Sequence, residues 1–260
     1  MKQEALIIIK INKNGICRLT LNRPKSHNAL SYQLLADMNN ALEKIKNNEN
    51  IRVMIIDAKG PSFCSGHDLK EISYNNDKEA YKKLFSLCSQ VMLSIIRLNI
   101  PVIASVHSTA TAAGCQLVAT CDLAIASENA RFATPGVNIG LFCSTPMVAL
   151  SRNISKKHTM EMLLTGDLID AYQAKEFGLV NRVVPEKKLE QTVTEIAEKI
   201  LKKSSKTIAT GKKAFYEQLE LGVSEAYELT SMIMTENMTE YNAQEGVDAF
   251  LKKRPPIWKD

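Results

Sequence analysis

Three segments of the chain concentrate small residues beside what read as strand ends. They are Phe63-Cys-Ser-Gly-His-Asp-Leu69, His107-Ser-Thr-Ala-Thr-Ala-Ala-Gly-Cys-Gln116 and Phe132-Ala-Thr-Pro-Gly-Val-Asn-Ile-Gly140. In α/β sheets, ligands sit where loops leave the carboxyl ends of strands. Small side chains let a backbone N–H approach a ligand closely, and a helix start adds free N–H groups and the positive end of its dipole. Two such loops facing each other would make an oxyanion hole from backbone donors. The same residues would equally permit tight packing of helix on sheet, and the pattern alone leaves both readings open. The six cysteines, at 17, 64, 88, 115, 121 and 143, show no CxxC spacing and no accompanying histidine cluster. Neither a metal site nor a disulfide framework is expected, and the thiols suggest a reducing compartment. Cys64, Cys115 and Cys143 read as pocket lining rather than nucleophiles, since no base partner stands out.

The elements that must position these loops are legible as periodicities. Ala5 to Ile11 and Ile16 to Leu21 are β-branched runs joined at Asn12-Lys-Asn-Gly15, a hairpin signal. Leu30, Leu34, Met38, Leu42 and Ile45 share one helical face, with Ser31 as cap. Val53–Asp57, Val102–Val106 and Leu123–Ala126 read as buried strands. Pro61 to Leu69 reads as a loop, and a second helix runs through Tyr81, Leu84, Leu87, Val91 and Ile95. Another helix starts at Gly114. Thr145-Pro146 predicts a cap and first helical position, and Gly166 and Gly178 predict helix C-caps. From His158 onward helices dominate, with Leu189–Lys202 and Ser205–Leu221 amphipathic.

Composition fits a folded α/β chain. Of 260 residues, 45% are apolar and 23% charged, and the net charge is +5. The lysines are scattered, so no nucleic-acid stripe is expected. The longest apolar stretch, Val102 to Ala126, is broken by His107, Gln116 and Asp122 and predicts no membrane span. Residues 1–6 carry Glu4 and no apolar run, which leads to an expected cytoplasmic location.

Several motifs resemble the enoyl-CoA hydratase/isomerase (crotonase) superfamily. They are Leu21-Asn-Arg-Pro-Lys-Ser-His-Asn-Ala-Leu30, Phe63-Cys-Ser-Gly-His-Asp-Leu69, Ala112-Ala-Gly-Cys-Gln-Leu117 with Cys121-Asp122, and Phe132-Ala-Thr-Pro135. The similarity continues through Met162-Leu-Leu-Thr-Gly166, Ala171 to Gly178 and Glu245 to Arg254, covering nearly the whole chain in order. The run from Ser108 through Phe142-Cys-Ser-Thr-Pro146 is most similar to the enoyl-CoA hydratase domain-containing protein 3 subgroup.

The resemblance implies an α/β fold, with a crotonase-like ββα spiral core over residues 1–195. A helical C-terminal region, 196–260, would form a homotrimer or a dimer of trimers. It implies a CoA-thioester enolate stabilised by two backbone N–H groups, by position those of Ser65 and Ala113. Lys25, Ser26, His27, Cys64, Gly66, Asp68 and Leu69 are the expected CoA contacts, and Thr109, Ala112, Gly114, Pro135 and Phe142 the expected lining. The ligand would be an acyl-CoA or enoyl-CoA. Coenzyme A enters as part of the substrate, with no prosthetic group and no metal.

Two departures from the family pattern matter. Ala112-Ala113 stand where the family usually has Gly-Gly, which keeps the N–H donor but narrows the loop. The two glutamates of the family's hydratases are replaced by Gln116 and Gly136, and no Asp or Glu occurs between Ala104 and Cys121 or from Asn129 to Met160. Gln116 can hydrogen-bond a water but cannot take its proton, and Gly136 can do neither. The isomerases' glutamate near Ser144 is missing too. His67 is then the remaining acid/base candidate. A similar segment supplies a histidine in the methylmalonyl-CoA decarboxylase branch, which pairs it with a tyrosine where this chain offers Phe142 and Cys143. Asp68 reads as a helix cap, His107 as a hydrogen-bonded structural group and His158 as solvated. Three functions stay open: a hydratase/isomerase-type lyase without ordinary hydratase efficiency, decarboxylation or other thioester chemistry through His67, and a non-catalytic acyl-CoA-binding or regulatory protein.

Overall fold

The computed structural model describes residues 5–74 and 77–259. Strands β1 (Ile7–Ile11) and β2 (Ile16–Leu21) form the antiparallel hairpin that the sequence predicts. Asn12 shapes its turn, accepting on Oδ1 from the amides of Asn14 and Ile16 at 3.0 Å each. Helix α1 (Tyr32–Lys46) is capped by Ser31, whose hydroxyl accepts from the Leu34 amide at 3.2 Å.

The middle of the chain repeats a β-β-α unit. In the first unit, β3 (Val53–Ala58) and β4 (Ser62–Cys64) precede α2 (Leu69–Tyr74) and α3 (Lys78–Ile96). In the second, β5 (Val102–Val106) and β6 (Thr109–Thr111) precede α4 (Ala113–Thr120). In the third, β7 (Leu123–Ser127) and β8 (Arg131–Ala133) lead through a 3-10 turn to α5 (Pro146–Asn153). Then come α6 (Lys156–Thr165), β9 (Ile169–Asp170), α7 (Ala171–Phe177), β10 (Arg182–Val184) and α8 (Leu189–Leu201). Helices α9 (Ser205–Gln218), α10 (Val223–Thr239) and α11 (Tyr241–Leu251) follow.

The first strand of each unit joins a six-stranded sheet, β1-β2-β3-β5-β7-β10, parallel except for the hairpin. The second strands join a smaller sheet, β4-β6-β8-β9, in which β4, β6 and β8 are parallel. Two-sided burial explains why β3 reads as continuously apolar. Met54 and Ile56 face the main core with α1 and α3, while Val53 and Ile55 face the other side with Leu189, Val193 and Ala197 of α8.

The small sheet corrects the sequence reading of Pro61–Leu69 as a loop, because the three-residue strand β4 is too short to display a period of two. Helix α5 also differs in detail. Thr145 has helical backbone angles and its side chain caps nothing, so Pro146 alone marks the start. Gly166 and Gly178 do end α6 and α7 with positive φ (68° and 90°). Residue 195 lies within the continuous helix α8.

Helix α9 is tied to the core by polar bonds centred on Asp122. Lys212, its side chain 7% exposed, donates to the carbonyls of Ile95 (3.2 Å) and Ile100 (2.9 Å) and to Asp122 (2.7 Å). Asp122 also accepts from the Tyr216 hydroxyl (2.9 Å) and the Val102 amide (2.7 Å). Burial lowers the Lys212 pKa against the opposing pull of Asp122.

Candidate active site

Parallel pairing of β4, β6 and β8 makes the loops after all three leave the small sheet on one side. The first two loops interlock closely. A Cβ added at Gly114 would lie 2.1 Å from the Cys64 carbonyl oxygen, and one at Gly66 would lie 2.8 Å from the Ala112 Cβ and 3.3 Å from the Ala113 nitrogen. Gly66 also has φ +91°, a region that L-residues rarely adopt. Thr111 Oγ1 donates to the Ser65 carbonyl at 3.1 Å, and the Ala112 amide donates to the Ala133 carbonyl at 2.9 Å.

Residues 23–30 wrap this pair. Asn28, fully buried at φ 54°, donates to the carbonyls of Lys59 and Ser62 (2.8 Å each) and accepts from the Arg23 amide (2.8 Å). Arg23 pairs with Asp68 at 2.6 Å. Asp68 accepts from the Lys70 and Glu71 amides at 3.0 and 3.3 Å, the helix-capping role that the sequence predicts. Burial raises the Asp68 pKa, but the Arg23 bond and these amides outweigh it and the net shift is downward. His27 Nδ1 meets Ser62 Oγ at 2.9 Å, and His107 Nε2 meets the Gly60 carbonyl at 2.8 Å, a structural bond as expected. Asn28 and Arg23 act as the clamp between the loops. The sequence signal for them was a polar Asn beside a turn.

The geometry corrects the expected donor in the first loop. The Ser65 amide is already used, donating to the His27 carbonyl at 3.1 Å. Two residues on, Leu30 bridges the strand-like segment: its amide donates to the Gly66 carbonyl (2.7 Å) and its carbonyl accepts from the Asp68 amide (3.3 Å). That parallel bridge turns the His67 amide away from Leu30, and no acceptor meets it among the described residues. Ala113 is the first residue of α4, where an amide has no intrahelical partner. The His67 and Ala113 amides are thus both without an acceptor among the described residues, with those of Gly114 and Cys115 following in the same first turn of α4.

Around them, polar side chains are few. The His67 ring packs edge-on to Phe85 (centroids 5.1 Å apart), and neither nitrogen has a hydrogen-bond partner among the described residues. Burial lowers its pKa below the usual histidine value. The Leu30 backbone opposes the shift without meeting either nitrogen in hydrogen-bond geometry. Gln116 is 4% exposed and its Oε1 has no hydrogen-bond partner among the described residues. Gly136 is walled in: an added Cβ would lie 2.8 Å from the Leu141 carbonyl and 2.9 Å from the Cys143 sulfur. Burial pushes the Cys64 and Cys115 thiols up to about 12 and raises Cys143, so none is a ready thiolate at neutral pH. Thr109 pairs with Ser62 across the small sheet, and Pro135 opens the turn after β8. Lys25, Leu69 and Phe142 are exposed, and Ser26 is half-buried. His158 departs from its expected solvation, stacking on Phe177 with centroids 3.7 Å apart. Among the described residues no cluster of three metal-ligating side chains occurs, and no helix is long and apolar enough to cross a membrane.

The family described as enoyl-CoA hydratase/isomerase matches residues 11–260. The chain belongs to this family. Enoyl-CoA hydratase domain-containing protein 3, mitochondrial, of Rattus norvegicus is 46% identical over 95% of this chain and 82% of that protein. Among solved structures, an enoyl-CoA hydratase of Mycobacterium smegmatis superposes with TM-score 0.96 at 49% identity, covering 98% of this chain and 99% of that one. Human enoyl-CoA hydratase domain-containing protein 3 superposes with TM-score 0.94 at 44% identity, covering 98% and 100%. The fold is thus the crotonase fold of the family. The family relationship also corrects the expected cytoplasmic location, because the rat, frog and human relatives are all named mitochondrial. The expectation rested on six terminal residues, and a cellular address is read by receptors and does not follow from fold.

Proposed function

We propose that this family member binds a CoA thioester with its carbonyl oxygen held between the His67 and Ala113 amides, polarising it toward an enolate. The observation that carries the reading is that the His67 and Ala113 amides stand without an acceptor, among the described residues, on two loops that Gly66 and Gly114 allow to approach closely. Preorganised backbone donors of this kind each contribute roughly 10²- to 10³-fold to reactions that develop oxyanion charge. The proton-transfer side of the site is depleted. Gln116 does not titrate, Gly136 carries no side chain, and Asp68 is committed to Arg23 and two amides. General acid–base groups supply typically 10²- to 10⁴-fold, so efficient hydration is not part of the proposal.

A second reading has its own support. The His67 ring nitrogens are buried beside Phe85 and meet no partner among the described residues, and burial lowers the pKa of the ring. Loss of CO2 from a malonyl-type thioester yields the same enolate without an abstracting base, leaving His67 to contact the departing carboxylate. Incubating the protein with a panel of acyl-, enoyl- and malonyl-type CoA esters, read by mass spectrometry alongside calorimetric binding, tests both. Binding without turnover of enoyl-CoA supports the first reading, and decarboxylation lost in His67→Ala supports the second. No binding of any ester defeats both. We propose further that α9–α11 mediate self-association as a homotrimer or dimer of trimers. They expose Phe215, Leu219, Tyr227 and Met234, and sedimentation at three or six times 28.9 kDa is the expected result.

A further inference from the structure

We infer that Asp122 is a positioning residue for the thioester site. Held by Lys212 and Tyr216 of α9, its carboxylate fixes the C-terminal end of α4, and through that helix it sets where the Ala113 amide meets a bound carbonyl oxygen. The inference rests on the CoA-thioester reading above and adds to it a control on carbonyl polarisation from a helix of the C-terminal region.

Helix α4 is built to transmit position. All eight of its residues are buried, and it is about 12 Å long at 1.5 Å per residue. A close-packed interior passes a displacement on rather than absorbing it. At the start of the helix there is no slack, since a Cβ at Gly114 would lie 2.1 Å from the Cys64 carbonyl oxygen. A backbone donor stabilises an oxyanion only when it stands about 3 Å from the oxygen, so a small movement of the helix is felt there.

The other end is held by side chains from distant segments. Asn153 of α5 donates to the Ala119 carbonyl at 2.8 Å. Asp122 follows directly on the C-cap, Cys121. Its Oδ2 accepts from the Lys212 ammonium and from the Val102 amide at the start of β5 (2.7 Å each), and its Oδ1 from the Tyr216 hydroxyl (2.9 Å). The three N–H groups of Lys212 are all used, two of them on the Ile95 and Ile100 carbonyls. One carboxylate thus ties α4, β5 and α9 together. Well-packed apolar residues often replace a buried ion pair without loss of stability, so stability alone does not call for this one. What the pair adds is one defined geometry, at the foot of the helix that carries the Ala113 amide.

The test uses the full chain and 2,4-hexadienoyl-CoA, a conjugated thioester whose absorption band moves to longer wavelength when its carbonyl oxygen is hydrogen-bonded. Free CoA, which has no such carbonyl, is the reference ligand. Both are titrated into the wild type, Asp122→Asn, Tyr216→Phe and Val193→Ala. Asp122→Asn keeps an acceptor oxygen but loses the charge, and Tyr216→Phe removes one hydroxyl. Val193→Ala opens the packing of α8 on the large sheet, away from α4, and controls for lost stability. In Asp122→Asn the red shift shrinks while free CoA binds as in the wild type. The affinity ratio of hexadienoyl-CoA to free CoA falls roughly tenfold, about the worth of one net hydrogen bond. Tyr216→Phe shows the same change to a smaller extent, and Val193→Ala keeps the full red shift. A full red shift in Asp122→Asn overturns the inference and leaves the thioester site standing, as does an equal loss in Val193→Ala. If Asp122→Asn does not fold, the same comparison in Tyr216→Phe decides. If the wild type shifts no band of the ester, the polarisation reading fails and the inference falls with it.

Discussion

Replacing Ala112 by glycine is predicted to stabilise this protein, against the usual direction of such a change. Ala112 precedes α4 with φ 50° and ψ −120°, a conformation suited to glycine. Holding an L-residue in such a region costs on the order of 1–3 kcal/mol. Glycine relieves that strain but adds unfolded-state entropy worth roughly 0.5–1 kcal/mol. The two bonds that fix the position are backbone bonds, from the Ala112 amide to Ala133 and from the Gln116 amide to Ala112, and both survive the substitution. The difference is about 0–2.5 kcal/mol, centred near 1 kcal/mol, and 1 kcal/mol raises the thermal midpoint of a chain of this size by roughly 2–4 °C. The assay is urea unfolding with an unchanged m-value, supported by calorimetry at one fixed protein concentration. Ala119→Gly, inside α4, is the control and loses roughly 1 kcal/mol or more. If Ala112→Gly destabilises as Ala119→Gly does, the strain argument is wrong.

Four further outcomes follow from the same structure. Gly114→Ala places a methyl 2.1 Å from the Cys64 carbonyl, so the loops must part, and CoA-ester affinity measured by calorimetry falls at least tenfold; Gly211→Ala, in open space on α9, gains roughly 0.5–1 kcal/mol in denaturant unfolding. Burial lowers the folded-state pKa of His67, so the unfolded chain takes up that proton first and stability falls as pH drops below about 6.5. In His67→Phe, midpoints measured from pH 7 down to pH 5 fall less steeply than in the wild type; equal slopes would show that the ring is not desolvated. Lys212→Met leaves Asp122 partly buried without its cation and costs about 3–5 kcal/mol in urea unfolding, whereas a loss under 1 kcal/mol would mean that α9 is held by its apolar face alone.

Much of the scaffold was legible in the residues because periodicity survives translation into packing. The hairpin, α1 with its Ser31 cap, and the buried strands β3, β5 and β7 stand where their apolar patterns put them. Strands β4, β6 and β8 were not legible, since three residues show no alternation and their pairing depends on the repeated unit. The loops that meet at the site were readable from their small residues, and Gly66 and Gly114 prove sterically required. Which amide remains unpaired was not readable. The Ser65 amide is taken by the His27 carbonyl, a contact between distant segments that Asn28 and Arg23 hold in place. The absence of carboxylates at Gln116 and Gly136 could be read directly, but the wall of Leu141 and Cys143 closing the Gly136 position could not.

The most direct test of the proposed site is a crystal structure with a non-hydrolysable CoA-thioester analogue. The carbonyl oxygen is expected about 3 Å from both the His67 and Ala113 nitrogens, with the Ser65 amide still bonded to His27. A carbonyl oxygen bound to the Ser65 amide, or lying away from Ala113, would contradict it.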